Sequence, residues 1–379
     1  MDLPGTGAQL RAPRPSAAEV LLAAALALPG LAATTKAAAQ GYPDQPILAF
    51  KNLNYSDSQP GQARMRLNNP TYYLYTPVTE LFSIESVVTR ETLSGASPLF
   101  QNTLSGASGT QIREHRNASD LKLIGFAGHS SAAVQVARSK ENDFLSKART
   151  LELRIGSASG NTTLALASSD QHDEISATGF PLQEFRATRS YFAGLTQVLS
   201  QVSVAQTSVT YSEGHGFFSD PYKALDNRPR SRGQFAWLTR YNRYFTGSES
   251  ALHLDYRYYR DNWSVEGHTV DAAYYFPFGS GWTVRPRLRY HTQKSAYFYS
   301  SVFPPPVFGK FYSTDQRLGT FGAVDAGIKL SRELSHDVTI DIKVERYVQR
   351  AKWRLWGGIN PEMQSYSGNI VMFGATKKF

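Results

Sequence analysis

The chain has 379 residues, a net charge of +9 and no cysteine, and 41% of its residues are hydrophobic. The absence of cysteine excludes a disulfide framework and any thiolate metal or redox site. The mean hydropathy of −0.36 excludes an ordinary helical membrane protein, whereas a barrel averages its apolar and polar residues and remains compatible with this value. The basic residues are spread along strand-like segments, which argues against a nucleic-acid-binding protein.

The first forty residues form a separate segment. Two arginines precede a short apolar run at 20–28, and small residues follow up to Ala39. A basic region, an apolar region and a small-x-small site in this order are typical of a secretory signal peptide. We predict a cleaved signal peptide at 1–39 and one exported domain at 40–379. No later stretch reaches about 18 apolar residues, so we expect no transmembrane helix.

From Ile47 onward, alternating segments are joined by connections of two kinds. Short connections carry the Gly, Ser and Asn of hairpin turns, and long ones are rich in polar residues. The two kinds largely alternate along the chain, as in transmembrane barrels with short periplasmic turns and longer external loops. The long connections are predicted at 93–117, 173–185, 213–231, 294–317 and 350–365.

This pattern predicts an all-β protein, a single antiparallel up-and-down transmembrane β-barrel of about 16 strands, or 14 without the first two. Pro286 conflicts with it, because proline cannot donate a ladder hydrogen bond in a closed sheet. Strands are predicted near 47–56, 63–76, 79–92, 118–127, 131–140, 146–156, 161–172, 186–198, 202–213, 232–246, 250–261, 264–277, 282–293, 318–331, 336–349 and 366–379.

Local alternation supports these strands but leaves two environments open. In the segment 337–345, even positions are apolar and β-branched and odd positions are polar or charged. The segment 252–261 likewise has Leu and Tyr on one face and mostly charged residues on the other. A soluble sheet would turn the apolar face to a core, whereas a membrane barrel would turn it to lipid.

Aromatic residues at the strand ends favour the membrane barrel. Tyr256 and Tyr258, with Trp263 in the turn, would lie near the outer interface, and Phe276 and Phe278 near the inner one. Leu, Val and Ala occupy the middle of the apolar band. Two such girdles are typical of outer-membrane barrels, whereas a soluble sandwich predicts no clustering at strand ends.

The C-terminal strand ends in an alternation that favours the same setting. Phe379, Phe373 and Val371 share one face. A terminal Phe resembles the signal by which outer-membrane barrels are recognised by their assembly machinery, although Lys377 departs from the apolar residue usual at its place. We therefore expect a bacterial outer-membrane location, with membrane lipid and the barrel-assembly machinery as partners.

Charged residues share the parity that would face the lumen. About 16 strands leave more room than side chains fill, which favours a hydrated path, and the excess of arginine at 285–289 favours anions. The alternative is a network of cross-strand ion pairs that plugs the barrel. The lumen-lining candidates are His253, Asp255, Arg257, Asp271, Arg285, Arg287, Arg289, Asp325, Lys329, Asp341, Lys343 and Glu345.

Two loop motifs contain residues with catalytic or metal-binding chemistry. His215, Ser219 and Asp220 lie close in sequence, but sequence neighbours rarely form a hydrolase triad. His172 precedes two acidic residues without a second His nearby, which is a weak metal signal. We therefore expect no catalytic, metal or cofactor site and no enzymatic activity.

Six motifs are spread over most of the exported chain. In order and spacing they resemble a family of exported Gram-negative proteins known as domain of unknown function 3570 (DUF3570). The resemblance implies an outer-membrane-type barrel and assigns no role to any residue. The motifs are 93–98 (LSGASP), 138–144 (RSKENDF), 218–223 (FSDPYK), 227–229 (NRP), 256–263 (YRYYRDNW) and 289–299 (RYHTQKSAYFY).

The function predicted from the sequence is a pore or channel for small solutes, with anions favoured. Its long external loops would control access. A first alternative is a structural barrel whose 294–317 loop docks a partner in an envelope complex. A second, disfavoured alternative is an outer-membrane hydrolase.

Overall fold

A closed antiparallel barrel of sixteen strands forms the whole described part of the chain. Each strand pairs with its chain neighbours, and β1 pairs with β16 to close the ring. The signal peptide predicted at 1–39 lies outside the described residues. Among the described residues, no helix is long and apolar enough to cross a bilayer. The computed structural model describes residues 44–59, 62–95, 112–178, 180–223, 225–302, 305–356, 363 and 365–379.

The strands agree closely with those predicted from alternation, including the first two. Single turns of 3₁₀ helix follow at 316–318 and 351–353. The strands are β1 Ile47–Gln59, β2 Gln62–Pro77, β3 Phe82–Gly95, β4 Ile112–Ala127, β5 Ser130–Lys140, β6 Phe144–Gly156, β7 Thr162–Ala177, β8 Phe180–Ser200, β9 Ser203–Gly216, β10 Ser231–Phe245, β11 Ser250–Asp261, β12 Glu266–Phe278, β13 Trp282–Lys294, β14 Phe321–Ser335, β15 Val338–Arg350 and β16 Tyr366–Lys378.

The long connections all lie at one end of the barrel, here called the loop end. Among them are residues 217–230, 295–320 and 351–365. Short hairpins close the opposite end, here called the turn end, where Ile47 and Phe379 also lie. The long connections thus lie at one end as inferred, but the β5–β6 and β11–β12 connections at that end are short, so the predicted alternation holds only in part.

One predicted loop is wrong. Residues 173–185 were expected to form a long connection, but β7 continues to Ala177 and β8 begins at Phe180. The polar residues of this stretch are paired within the ladder. Asp173 accepts two hydrogen bonds from the Arg186 guanidinium, at 2.8 and 2.6 Å. An ion pair between neighbouring strands thus allows a polar segment to remain a strand.

Pro286 fits into β13 without the conflict that its sequence position suggests. It lies opposite Ile328 on one side. On the other side the β12–β13 pairing is interrupted between Ala273–Arg287 and Phe276–Val284, with the same register before and after. The hydrogen bond that Pro286 cannot donate is therefore absent at a point where the β12–β13 ladder is already interrupted.

The two faces of the strands differ in exposure as the alternation predicts. Ile342 and Val344 expose 47% and 53% of their surface, whereas their neighbours Asp341 and Glu345 expose 7% and 4%. A soluble protein would bury the apolar face instead. The apolar outer surface and polar inner wall are the pattern of a transmembrane barrel.

The aromatic residues at the strand ends face outward as predicted, with one exception. Phe276 and Phe278 are exposed near the turn end. Trp263 is instead 1% exposed and packs edge to face against Phe218 and Phe298. The long loops supply an apolar core of their own at the loop end. The prediction that Trp263 lies at the membrane interface is therefore wrong.

Gly327 provides a test of packing on the inner wall. A Cβ at Gly327 would lie 2.3 Å from Glu345 Cγ, so Gly327→Ala must displace Glu345 from its 2.9 Å contact with Arg287. We expect the free energy of unfolding in urea, measured in detergent micelles, to fall by about 1–3 kcal/mol. Gly247→Ala, where nothing lies within 4 Å of the new Cβ, is the control, and an equal loss there would contradict this account.

Candidate functional site

All twelve residues predicted to line the lumen lie on one face of β11–β15, the inner face of the barrel. Asp255, Asp271, Arg289 and Asp325 stand directly opposite one another on four successive strands. The twelve residues thus share one face of the sheet, and their role in lining a hydrated lumen stays a prediction. The remaining eight are His253, Arg257, Arg285, Arg287, Lys329, Asp341, Lys343 and Glu345.

Arg287 is the centre of an ion-pair network on this wall. Its guanidinium donates hydrogen bonds to Asp271, Asp325 and Glu345, at distances of 2.5, 3.2 and 2.9 Å. The Lys343 ammonium donates to the same Glu345 at 2.8 Å. The side chains are 3% to 20% exposed, so water screens these pairs less than it screens surface pairs. Around Arg287, carboxylates therefore balance the positive charge that the arginines at 285–289 were expected to leave.

One step nearer the turn end, three cations face one another. Arg285, Lys329 and Lys343, here called the cation row, are directly opposite on β13, β14 and β15. Lys329 Nζ lies 3.4 Å from Asp341 Oδ1. Arg285 donates to the Tyr275 hydroxyl at 3.1 Å, and its buried Nε has no partner among the described residues. Like charges directly opposite in a sheet repel, so this row favours a bound or passing anion.

Lys51 extends the positive charge onto β1, and sequence reasoning missed it because its strand was among the least certain. Lys51 and Asp341 flank Gly374 from its two sides. A Cβ at Gly374 would lie 2.5 Å from Asp341 Oδ2, so the glycine leaves room for this carboxylate. Within the described ranges, no carboxylate oxygen lies within 4.0 Å of Lys51 Nζ or the Arg285 guanidinium.

Other parts of the inner wall carry small uncharged side chains. Inward positions of β5 and of the middle of β7, β8 and β9 share this character, and β5 lies eight strands from β13, across the ring. A cavity of about 200 Å³ lies against this wall, beside Phe192 and Arg154. Small side chains leave free volume opposite the cation row. They include Ala133, Ala137, Ala165, Ala167, Ser190, Gly194, Thr196, Ser208, Thr210 and Ser212.

Loop 217–230 reaches over the mouth of the barrel at the loop end. It starts after β9, yet the Tyr222 hydroxyl donates to Asp143, between β5 and β6. The same hydroxyl accepts a 2.8 Å hydrogen bond from the Thr178 N–H, between β7 and β8. The loop is therefore anchored on the two loop-end hairpins that precede it around the ring.

Loop 295–320 covers the mouth from the other side. The Gln316 side chain accepts a 3.4 Å hydrogen bond from Gln349, an inward-facing residue of β15. Asn227 and Tyr312 join the two loops through a pair of 2.8 Å backbone hydrogen bonds. Together the loops form a cover that narrows the entrance to the barrel.

A group of charges, all buried except Arg317, holds the two loops together, and we call it the loop clasp. It comprises Asp315 and Arg317 of one loop and Asp220, Lys223 and Arg228 of the other. Asp315 accepts hydrogen bonds from Arg228 at 3.0 Å and from Arg317 at 2.5 Å. Although burial raises the pKa of Asp315, the charges of Arg317, Lys223 and Arg228 outweigh it and hold the pKa well below its ordinary value.

Of the two acids in the clasp, Asp220 is stabilised less by neighbouring positive charge than Asp315. Burial raises its pKa to about 6, although the charges of Lys223 and Arg228 act in the opposite direction. Its Oδ1 accepts a 3.0 Å hydrogen bond from the Tyr222 N–H, whereas Oδ2 has no hydrogen-bond partner among the described residues. The neutral form of Asp220 therefore suits the clasp better than the charged form.

We expect the clasp to loosen as Asp220 ionises. Since its folded pKa is raised, the contribution of Asp220 to stability is full below 3.8 and is lost as the pH rises through about 6. The protection factor of the Tyr312 amide, which bonds to Asn227, corrects the exchange rate for its intrinsic dependence on pH and should fall above this range. Asp220→Asn should abolish the change, and Glu213→Gln, an exposed acid nearby, should preserve it. The same pH dependence in Asp220→Asn would contradict the assignment.

The residues considered for catalysis or metal binding do not assemble. His215 lies on the outward face of β9, and the Ser219 hydroxyl accepts a 2.9 Å hydrogen bond from the Arg228 N–H instead of facing a base. His172 and Asp173 point to opposite faces of β7. The described part of the chain contains no group of three or more side chains arranged to hold a metal ion.

The residues of the predicted assembly signal share the outward face of β16 and its end. Val371, Phe373 and Phe379 expose 42%, 45% and 58% of their surface. The Lys377 ammonium lies 4.6 Å from the centre of the Phe379 ring. Lys377 thus packs on the ring and leaves it accessible, and recognition of this strand by assembly machinery stays a prediction.

The model of the family described as "Protein of unknown function (DUF3570)" matches residues 18–370. The chain belongs to this family. The resemblance inferred from the six motifs is therefore confirmed. No curated protein matches the chain.

Solved structures with the same kind of barrel are similar in shape but remote in sequence. A bacterial polysaccharide outer membrane secretin has a TM-score of 0.50 and 8% identity, over 89% of this chain and 100% of that one. CdiB from Acinetobacter baumannii has a TM-score of 0.49 and 9% identity, over 86% and 60%. The toluene transporter TodX from Pseudomonas putida has a TM-score of 0.43 and 11% identity, over 89% and 90%. The likeness to the secretin shows the fold alone.

Proposed function

We propose that the protein is an outer-membrane pore that passes small solutes and prefers anions. The observation that carries this proposal is the positive charge left over on the inner wall, where Arg285 and Lys51 have no carboxylate within 4.0 Å among the described residues. The apolar outer surface suits lipid, and a barrel of sixteen strands is wide enough to hold water.

The arrangement supports a simple mechanism. The loop clasp narrows the entrance and so limits the size of the solute. The ion pairs around Arg287 are self-compensated and hold the charged wall in place. The cation row then attracts anions toward the turn end, while the small side chains across the ring leave a path for them.

The test is ion selectivity in planar bilayers. In a KCl gradient we expect the purified protein to conduct with chloride more permeant than potassium. Arg285→Gln should lower the chloride to potassium ratio about fivefold, the effect of one unit charge about 4 Å away in water. Lys51→Gln should lower it in the same direction.

Arg189→Gln is the control, because Arg189 is exposed on the outer surface and its removal changes net charge equally. Its selectivity should match that of the unmodified protein. No conductance from correctly folded protein would contradict the pore. Conductance with unchanged selectivity in Arg285→Gln and Lys51→Gln would contradict the role of the cation row alone.

We further propose that Phe379, Phe373 and Val371 are read by the barrel-assembly machinery. Their exposure on the outward face of the last strand supports this role. Secretion by the predicted signal peptide and insertion into the outer membrane complete the proposed route.

A docking role for the external loops is the second candidate, because an apolar cavity opens between them. The cavity has a volume of about 580 Å³ and is lined in part by Leu225, Pro305 and Tyr312. Phe308 also lines it and exposes 82% of its surface. Exposed apolar residues around a concave site are typical of a partner-binding surface.

Crosslinking in intact cells tests this alternative. We expect an envelope protein to be captured by the unmodified chain and lost with Phe308→Ser or on deletion of 304–306. Leu81→Ser, which changes an exposed apolar residue at the turn end, is the matched control. Equal capture by all variants would exclude the loop as the docking site.

A further inference from the structure

Residues 350–356, here called the strap, lie on the outward side of the barrel at the loop end. The Leu355 N–H donates to Thr292 Oγ1 at 3.1 Å, and Thr292 faces outward on β13. The strap also crosses Gly322 of β14, where a Cβ would lie 2.1 Å from the Trp353 carbonyl oxygen. This segment therefore covers β13 and β14 from outside and is remote from the inner wall.

The strap alternates basic and apolar side chains. Its sequence is RAKWRLW, and the Arg350 guanidinium stacks 4.9 Å from the centre of the Trp353 ring. Leu355 and Trp356 expose 63% and 44% of their surface. Tryptophan and long basic side chains together suit the boundary between lipid headgroups and hydrocarbon.

Four cations in this region lack acidic partners. Arg346, Arg350, Lys352 and Arg354 have no carboxylate oxygen within 4.0 Å in the part of the chain that the structure describes. Arg346 faces outward on β15 and donates only to neutral oxygens, of Asn369 and a serine, at 2.6 and 3.0 Å. Arg354 has a buried Nη1 without a hydrogen-bond partner. Such a set of donors is ready to bind phosphate.

Two outward-facing cations on the far side of the ring are paired with carboxylates. Lys147 pairs with Glu174 at 2.9 Å, and Arg189 pairs with Asp170 at 2.9 Å. Their charges are neutralised by neighbouring strands. Other outward-facing arginines, such as Arg138 and Arg149, also lack a carboxylate within 4.0 Å among the described residues, so the strap differs from them by the exposed Leu355 and Trp356 beside its charges.

We propose that the strap and Arg346 bind the phosphate-bearing headgroup of an anionic membrane lipid. This inference rests on the membrane setting of the proposed function, but not on conduction. The four basic side chains would donate to the phosphate oxygens, and Leu355 and Trp356 would contact the acyl chains beside it. Basic clusters next to a membrane-facing surface are attracted to anionic lipid in this way.

The test is a titration of the full-length protein in zwitterionic micelles with short-chain phosphatidic acid, followed by tryptophan fluorescence. We expect saturable binding that weakens with ionic strength. Arg350→Gln with Arg354→Gln should weaken it roughly 25-fold, about fivefold for each basic residue. Lys352→Gln, whose exposed side chain leaves packing intact, should weaken it about fivefold.

Lys147→Gln with Arg189→Gln is the matched control, since it removes two outward cations that are already paired. Unchanged affinity there supports the site, and an equal loss would show that only net charge matters and overturn it. Equal binding of short-chain phosphatidylcholine, or full competition by equimolar inorganic phosphate, would also overturn it. Absence of conductance would leave this result unaffected, because the titration reports binding alone.

Discussion

The interaction on which the inner wall depends is the contact of Arg287 with three carboxylates from three other strands. β12, β14 and β15 each bring one acid to this guanidinium. Every inward charge of a closed barrel lies inside the ring of strands, so it must be paired with an opposite charge or hydrated. Gly327 and Gly374 keep the neighbouring backbone clear for Glu345 and Asp341. Beside this balanced network, Arg285 and Lys51 are left without a carboxylate within 4.0 Å among the described residues.

The requirement that charges be paired or hydrated distinguishes three regions of the molecule. At the level of Arg287, charges compensate one another and contribute to structure. In the cation row, Lys329 and Lys343 have carboxylate partners but Arg285 has none among the described residues. The basic side chains of the strap lie on the opposite side of the sheet. The cation row on β13–β15 and the strap before β16 lie close in sequence. They are on opposite faces of the sheet, because successive residues of a strand point to opposite sides.

Most of the barrel could be predicted because alternation and loop length are local properties of the sequence. The inner positions from His253 to Glu345 followed from parity, which is fixed once one face of a strand is known. The ion pair of Asp173 with Arg186 could not be predicted, because Asp173 was assigned to a loop and its strand was expected to end before it. Trp263 was misplaced for a related reason: its apolar partners come from two loops distant in sequence. Lys51 needed the closure of β1 onto β16, which no local pattern encodes.

Loop 217–230 is anchored on Asp143 and Thr178 and is latched to loop 295–320 through Asp315. The two loops consequently share one opening equilibrium, and a shorter or longer version of either would strain the other. A molecule that binds between the two loops stabilises their joined arrangement by mass action and so keeps the barrel entrance narrow, independently of what the pore conducts. Changes in loop length within this family should therefore occur in matched pairs.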